Sequence, residues 1–200
     1  MKETYKKQLI LNLIEAGNGY VKTADVESLG ISKTYFRQIC KKENLEKVAQ
    51  GVYRSQDAWE DPLYEIQLTY PAVIFSHETA LYLNGLMEHE PSSIHVTVYT
   101  GYNATSLREK GCRVHSVDKA CLRRNIITIE DNYCNRLFTY DCERTICEIV
   151  KVRSKTDVQV FQYAMKTYMK RRNKNINALI NCARDYGMED EIRKYTEVML

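Results

Sequence analysis

Between Tyr5 and Ala16 the apolar residues Leu9, Ile10, Leu13 and Ile14 fall at the spacing of one helical face, and Gly17-Asn18-Gly19 supplies a stop. Thr23 stands where it can cap a second, short helix through Leu29, with Gly30 free to adopt the left-handed conformation that ends helices. Ser32 caps a third. On a wheel of about 100° per residue, Phe36, Ile39 and Cys40 share one side of that third helix. Thr34, Arg37, Gln38 and Lys41 share the other, with Lys33 near the edge. Leu45 to Ala49 and Val52 to Ser55 then read as two short strands about a Gln50-Gly51 turn. Two short helices joined by a glycine-containing turn and followed by a hairpin match a winged helix-turn-helix, whose second helix lies in the DNA major groove.

From Asp57 the pattern changes. Asp61 is placed to cap a helix with Pro62 at its first position, and LYEIQLTY ends before Pro71. AVIF reads as a short buried strand. Ser76 caps HETALYLN, which closes at Gly85. IHVTVY alternates like a half-buried strand, CRVHSV and RLFTY are two more, and Asp141 caps the helix CERTICEIVKV. In the tail, Val158, Phe161, Met165 and Tyr168 or Met169 form one apolar stripe, NINALINCARDYG a second helix ending at Gly187, and EDEIRKYTEVML a third. The expected fold class is α+β. A winged helix-turn-helix spans residues 1–56, and a mixed α+β domain with a helical C-terminal end spans residues 57–200.

Composition adds a compartment. With 8 Gly and 3 Pro among 200 residues there is little room for a disordered linker. No apolar run approaches the roughly 18 residues that cross a bilayer, and MKETYKKQLILNLIEAG has no signal-peptide cleavage site, so a cytoplasmic protein without a membrane partner is expected. The 7 cysteines include no C-x-x-C pair, which points to reduced thiols and away from a disulfide framework or a zinc ribbon.

Charge adds a partner. The whole chain carries only +3, but residues 1–54 hold 10 Lys and Arg against 6 Asp and Glu, and residues 32–54 hold 6 against 2. Such local excess beside a helix-turn-helix points to nucleic acid. Arg37 and Gln38 are candidates for reading base edges, because their side chains make bidentate bonds to guanine and adenine. Lys22, Lys33, Lys41, Lys42 and Lys47 are candidates for phosphates.

Catalytic signals are weak. His77-Glu78 begins like a zinc-binding H-E-x-x-H, but position 81 is Leu. Cys112 and His115 have metal-like spacing, yet on a strand residues three apart face opposite ways. Asp141, Glu143, Glu148 and Lys151 invite comparison with a metal-dependent nuclease, but Asp141 suits an N-cap, and Glu148 and Lys151 suit a surface ion pair at i and i+3. No phosphate-binding loop and no G-x-S-x-G motif occurs. No catalytic residue, metal or cofactor is therefore expected. Two further basic clusters stand out. Lys166, Lys170, Arg171, Arg172 and Lys174 surround a helix end, and Arg108, Lys110 and Arg113 sit near Tyr102, where they offer either a partner surface or solvated charge.

The blocks FSHETALYLNGL, IHVTVYTGYN, GCRVHSV and DCERTICEIVKVRSKTDVQVFQYAMKTY, following a basic winged helix that closes with GVY, resemble the AbiEi antitoxins, transcriptional regulators of AbiE-type (type IV) toxin-antitoxin systems. The resemblance implies a DNA-binding autorepressor acting on inverted repeats in its own promoter, and a C-terminal domain that counteracts a nucleotidyltransferase toxin without needing a stable complex. It links the chain to abortive phage infection. DNA binding carries over to Lys33, Thr34, Arg37, Gln38 and Lys41, and nothing catalytic carries over. Where many relatives resemble Arg-Gly before the last wing strand, this chain has Gln50-Gly51, one phosphate-neutralising charge fewer. A monomer pairing on two half-sites and a preformed dimer both satisfy such binding. The competing reading is an adaptor that holds a protein partner and binds no specific DNA.

Overall fold

Glu3–Ala16 forms the first helix, α1, in the computed structural model, which describes residues 3–199. Ile10 and Ile14 are its buried positions. The chain reverses through Asn18 (φ 50°) and Gly19 (φ 87°), and a Cβ at Gly19 would lie 2.4 Å from that of Ala58, so this turn needs glycine twice over. A strand follows, β1 (Tyr20–Lys22), then α2 (Thr23–Ser28), α3 (Lys33–Lys42), β2 (Glu46–Ala49), β3 (Val52–Arg54) and α4 (Pro62–Thr69).

The three strands form an antiparallel sheet in the order β1-β3-β2, with β1 beside β3 in the register Val21 to Tyr53. Thr23 is not a cap. It is the first residue of α2, its side chain caps nothing, and its N–H donates to the Gly51 carbonyl at 2.8 Å, which ties the hairpin turn to the start of the helix. Val21, Val26, Ile31, Phe36, Ile39 and Cys40 complete the core begun by α1.

This first compact unit runs past residue 56 to Pro71 and takes in the turn Glu130–Leu137. Asp61 caps α4 by accepting from the N–H groups of Leu63 and Tyr64, with Pro62 at the first helical position. Its other oxygen accepts from Asn135 at 2.7 Å, and Asn18 donates to the Cys134 carbonyl at 2.8 Å. Burial and the neighbouring Asp131 push the Asp61 carboxyl up to about 6.

The second unit comprises residues 72–129 and 138–200. Its elements are β4 (Ile74–Phe75), α5 (His77–Leu83), β5 (His95–Tyr99), α6 (Thr105–Glu109), β6 (Arg113–Val117), α7 (Lys119–Leu122), β7 (Ile126–Glu130), β8 (Arg136–Tyr140), α8 (Cys142–Lys151), α9 (Val158–Lys170), α10 (Ile176–Asp185) and α11 (Glu189–Met199). The mixed sheet has the order β6-β5-β4-β8-β7, with β4 antiparallel to β5 and parallel to β8, and β5 parallel to β6. Strand β5 is buried on both faces from His95 to Val98 rather than half-buried, because it lies between two other strands and under α5. Helices α8 to α11 share a core with Leu81 and Leu86, built on Ile146, Ile149, Phe161, Met165, Leu179 and Ile192. Val158 departs from the expected stripe: it sits in the first turn of α9 and is 57% exposed. Leu200 lies outside the described residues. No helix among the described residues is long and apolar enough to cross a membrane.

Candidate nucleic-acid interface

Helix α3 owes its start to Ser32, whose Oγ accepts from the Tyr35 N–H at 3.3 Å, after Gly30 (φ 73°) has ended the previous turn. Such a cap is worth about 1 kcal/mol. The helix then divides as the sequence dictates. Phe36, Ile39 and Cys40 are buried, and Phe36 meets the hairpin residue Tyr53 edge to face at 5.2 Å. Lys33, Thr34, Arg37, Gln38 and Lys41 are all exposed, as are Lys42 and, on the hairpin, Lys47. Lys22 is half-buried at the end of β1.

These side chains are not equally available. Lys22 pairs with Asp25 at 3.6 Å and Lys33 with Glu27 at 3.4 Å, while Lys47 donates to Gln50 at 3.2 Å. Among the described residues Arg37, Lys41 and Lys42 make no ion pair. Arg37 and Lys33 line a groove of about 400 Å³ together with Lys22, Lys47, Gln50 and Gly51, so α3 and the hairpin border one recess in which four basic side chains face a single acid, Glu27. Arg54, by contrast, contributes to the positive count and not to this surface. It is buried and bound to Glu46 and Glu60 at 2.8 Å each and to Glu65 at 3.5 Å.

Residues 8–56 match the model of the AbiEi antitoxin family of transcriptional regulators. The AbiEi match thus covers α3 and the hairpin, which bring Lys33, Arg37 and Lys47 to the basic recess. No curated protein matches the chain in sequence. Among solved structures the chain is similar to the crystal structure of the RV2827C protein from Mycobacterium tuberculosis, with a TM-score of 0.60 at 10% identity over 90% of this chain and 71% of that one, a likeness of fold.

Outside the AbiEi-matched segment, Lys166, Lys170 and Arg172 are exposed and Lys174 is half-buried. Arg171 turns inward: its guanidinium donates to the Asn84 carbonyl and to Cys142 Sγ, satisfying a carbonyl left over at the end of α5. Glu148 and Lys151 are not a surface pair. Glu148 is buried, its partner is Arg144 one turn earlier at 3.2 Å, and its second oxygen accepts from the His77 N–H at 3.3 Å. Asp141 does cap α8, accepting from the Arg144 N–H at 2.8 Å. Ser76 stands at the N-cap of α5 without capping it; its hydroxyl is engaged with Thr97 at 2.8 Å and His77 at 3.1 Å.

The sequence gives no warning of a histidine cluster in this unit. His77 stacks on His115 with centroids 3.5 Å apart, and His115 Nε2 lies 3.3 Å from His95 Nδ1. Parallel pairing of β5 with β6 sets Thr97 against His115 and so brings the strand histidines onto one face. Burial, and then the other histidines, push His77 down to about 2 and His95 to about 4; burial and Arg113 push His115 to about 4. Among the described residues no three His, Cys, Asp or Glu side chains converge as a metal site would require. The cluster is instead a source of acid lability. A histidine lowered in the fold is neutral there but charges in the unfolded chain, so its stability is present above about pH 6.5 and drains away as pH falls toward 4. Glu148, raised to about 7 by burial against the pull of Arg144, and Asp61 run the other way. His95→Gln removes one such proton: in urea titrations between about pH 6 and 4.5, the change of stability with pH is expected to be shallower than wild type by about 1.4 kcal/mol per unit. Parallel curves for the two proteins would show that His95 is not neutral in the fold.

Proposed function

We propose that the first unit is a winged helix-turn-helix that binds double-stranded DNA at inverted repeats upstream of its own operon. In this reading the chain is a cytoplasmic autorepressor and the antitoxin of a nucleotidyltransferase toxin, with no stable complex required and no catalysis of its own. The observation that carries the reading is the outward face of α3. Lys33, Thr34, Arg37, Gln38 and Lys41 are exposed together, opposite a face anchored by Phe36, Ile39 and Cys40, within the segment that matches AbiEi regulators. A helix of about 10 Å diameter so presented fits the major groove, and the hairpin beside it brings Lys47 to the flanking phosphates.

Binding to the upstream DNA, followed by fluorescence anisotropy at several salt concentrations, tests this. If Lys22, Lys33, Lys41, Lys42 and Lys47 each neutralise a phosphate, log K is expected to fall with log salt at a slope near −4.5, about −0.9 per contact, for each bound copy. Binding that ignores salt, or that favours no sequence, would return the molecule to the adaptor reading.

A further inference from the structure

Trp59 is the chain's single tryptophan, and it is 76% exposed. The exposure does not come from a loose segment. The Trp59 carbonyl accepts from the buried Tyr20 hydroxyl at 3.0 Å, and the same hydroxyl accepts from the Asp61 N–H at 3.1 Å. Between them Glu60 takes the Arg54 guanidinium at 2.8 Å. The backbone is therefore fixed on both sides of an indole that stays in water.

Its ring neighbour among the described residues is held as firmly. Tyr133, 44% exposed, stacks on Trp59 with centroids 6.4 Å apart and planes 25° from parallel. Asp131 Oδ1 accepts from the N–H groups of Tyr133 at 2.8 Å and Asn135 at 2.9 Å. Asn18 and Asp61 then hold the turn through Cys134 and Asn135. Two segments far apart in sequence thus spend their polar groups on fixing each other and leave two aromatic rings exposed. A fixed, exposed aromatic pair forgoes burial that such rings ordinarily gain, which marks it as a surface made for contact.

The surroundings select the partner. Within three positions of either ring in sequence stand Asp57 and Glu130, both exposed and in no ion pair among the described residues, and Glu60 and Asp131, which Arg54 and the turn's own N–H groups already engage, against the single basic residue Arg136. Carboxylates repel phosphates, so the platform does not suit the stacked bases of a single-stranded nucleic acid. An apolar partner would leave Asp57 and Glu130 desolvated and unpaired. A guanidinium or ammonium group satisfies both features, its face on the indole and its N–H groups on the acids.

We propose that Trp59 and Tyr133 form a docking platform for a basic protein segment whose arginine or lysine side chains lie over the rings and pair with the carboxylates around them. The site is independent of the α3 face. Because Trp59 is the only tryptophan, its emission reports on this platform alone. Titration of the full chain with a blocked tetra-arginine peptide is expected to change that emission saturably, and the citrulline counterpart, similar in shape but uncharged, to leave it unchanged. Raising salt from about 50 mM to about 0.5 M should weaken the binding about tenfold. Tyr133→Ala, and separately the pair Asp57→Asn with Glu130→Gln, should each weaken it about threefold or more, with circular dichroism confirming the fold and Arg37→Ala having no effect. An equal response to citrulline, a tighter response to oligothymidylate, or an emission change on concentrating the chain alone would overturn the proposal, the last assigning the platform to a second copy.

Discussion

Arg37→Ala combined with Lys41→Ala is expected to weaken binding to the upstream DNA by about 30- to 1,000-fold, the sum of a bidentate base contact and a phosphate contact. Both side chains are exposed on α3, and among the described residues neither makes an ion pair, so their removal leaves the core of Phe36, Ile39 and Cys40 intact. The melting temperature should accordingly stay close to wild type, since surface substitutions of this kind usually stay within about 0.5 kcal/mol. The single variants separate the roles. Lys41→Ala should weaken binding evenly across sequences and reduce the salt slope by about one, whereas Arg37→Ala should relax the preference at one base pair by about 1 to 3 kcal/mol. Lys33→Ala should do less than Lys41→Ala, because the lysine is already paired with Glu27 at 3.4 Å and must leave that acid to meet a phosphate. A double variant that binds its operator as tightly as the parent protein would remove α3 from the interface.

The division of α3 into a buried and an exposed face was legible because its causes are local. A serine cap, three apolar residues at helical spacing and a glycine turn decide α3 within about a dozen residues, and the Gln50-Gly51 turn decides the hairpin. What was not legible depends on distant partners. Strand β1 is three residues long and shows no alternation; it is a strand because β3 lies beside it. Thr23 has the chemistry of a cap, but the Gly51 carbonyl takes its N–H and the helix begins one residue earlier than a cap would allow. The turn Glu130–Leu137 follows the first unit through a hydrogen bond from Asn135 to Asp61, 74 positions apart. The histidines of α5, β5 and β6 meet only through the register of parallel strands, which no window of the sequence contains. Charge counting misled in one respect. Arg54 raises the positive excess of the hairpin, yet three glutamates bury it.

Arg144→Ala is expected to cost about 3 to 5 kcal/mol and, in a chain of this size, to lower the melting temperature by about 10 °C. Arg144 has 0% exposure, the extreme case of a charge that the fold must satisfy internally. One terminal nitrogen donates to the carbonyls of Cys121 at 2.8 Å and Arg124 at 2.6 Å, the Nε donates to Glu148, and the guanidinium lies 3.2 Å from the centre of the Tyr140 ring. Truncation therefore removes a donor from two backbone carbonyls and the ion-pair partner of a buried carboxylate that keeps only the His77 N–H, besides opening a cavity against Tyr140. The carboxylate is the decisive loss. Glu148 already sits near the limit at which burial overcomes its partner, and without Arg144 it must take up a proton or stay charged without its guanidinium partner. The destabilisation should accordingly shrink as pH falls from about 7 to 5, where protonation spares the unpaired charge, and should shrink likewise in an Arg144→Met, Glu148→Gln double variant compared with Arg144→Met alone. Thermal melts of the four combinations at both pH values measure the coupling. If Arg144→Met is as unstable at pH 5 as at pH 7 and gains nothing from Glu148→Gln, the cost lies in the lost carbonyl bonds and ring contact rather than in the stranded charge.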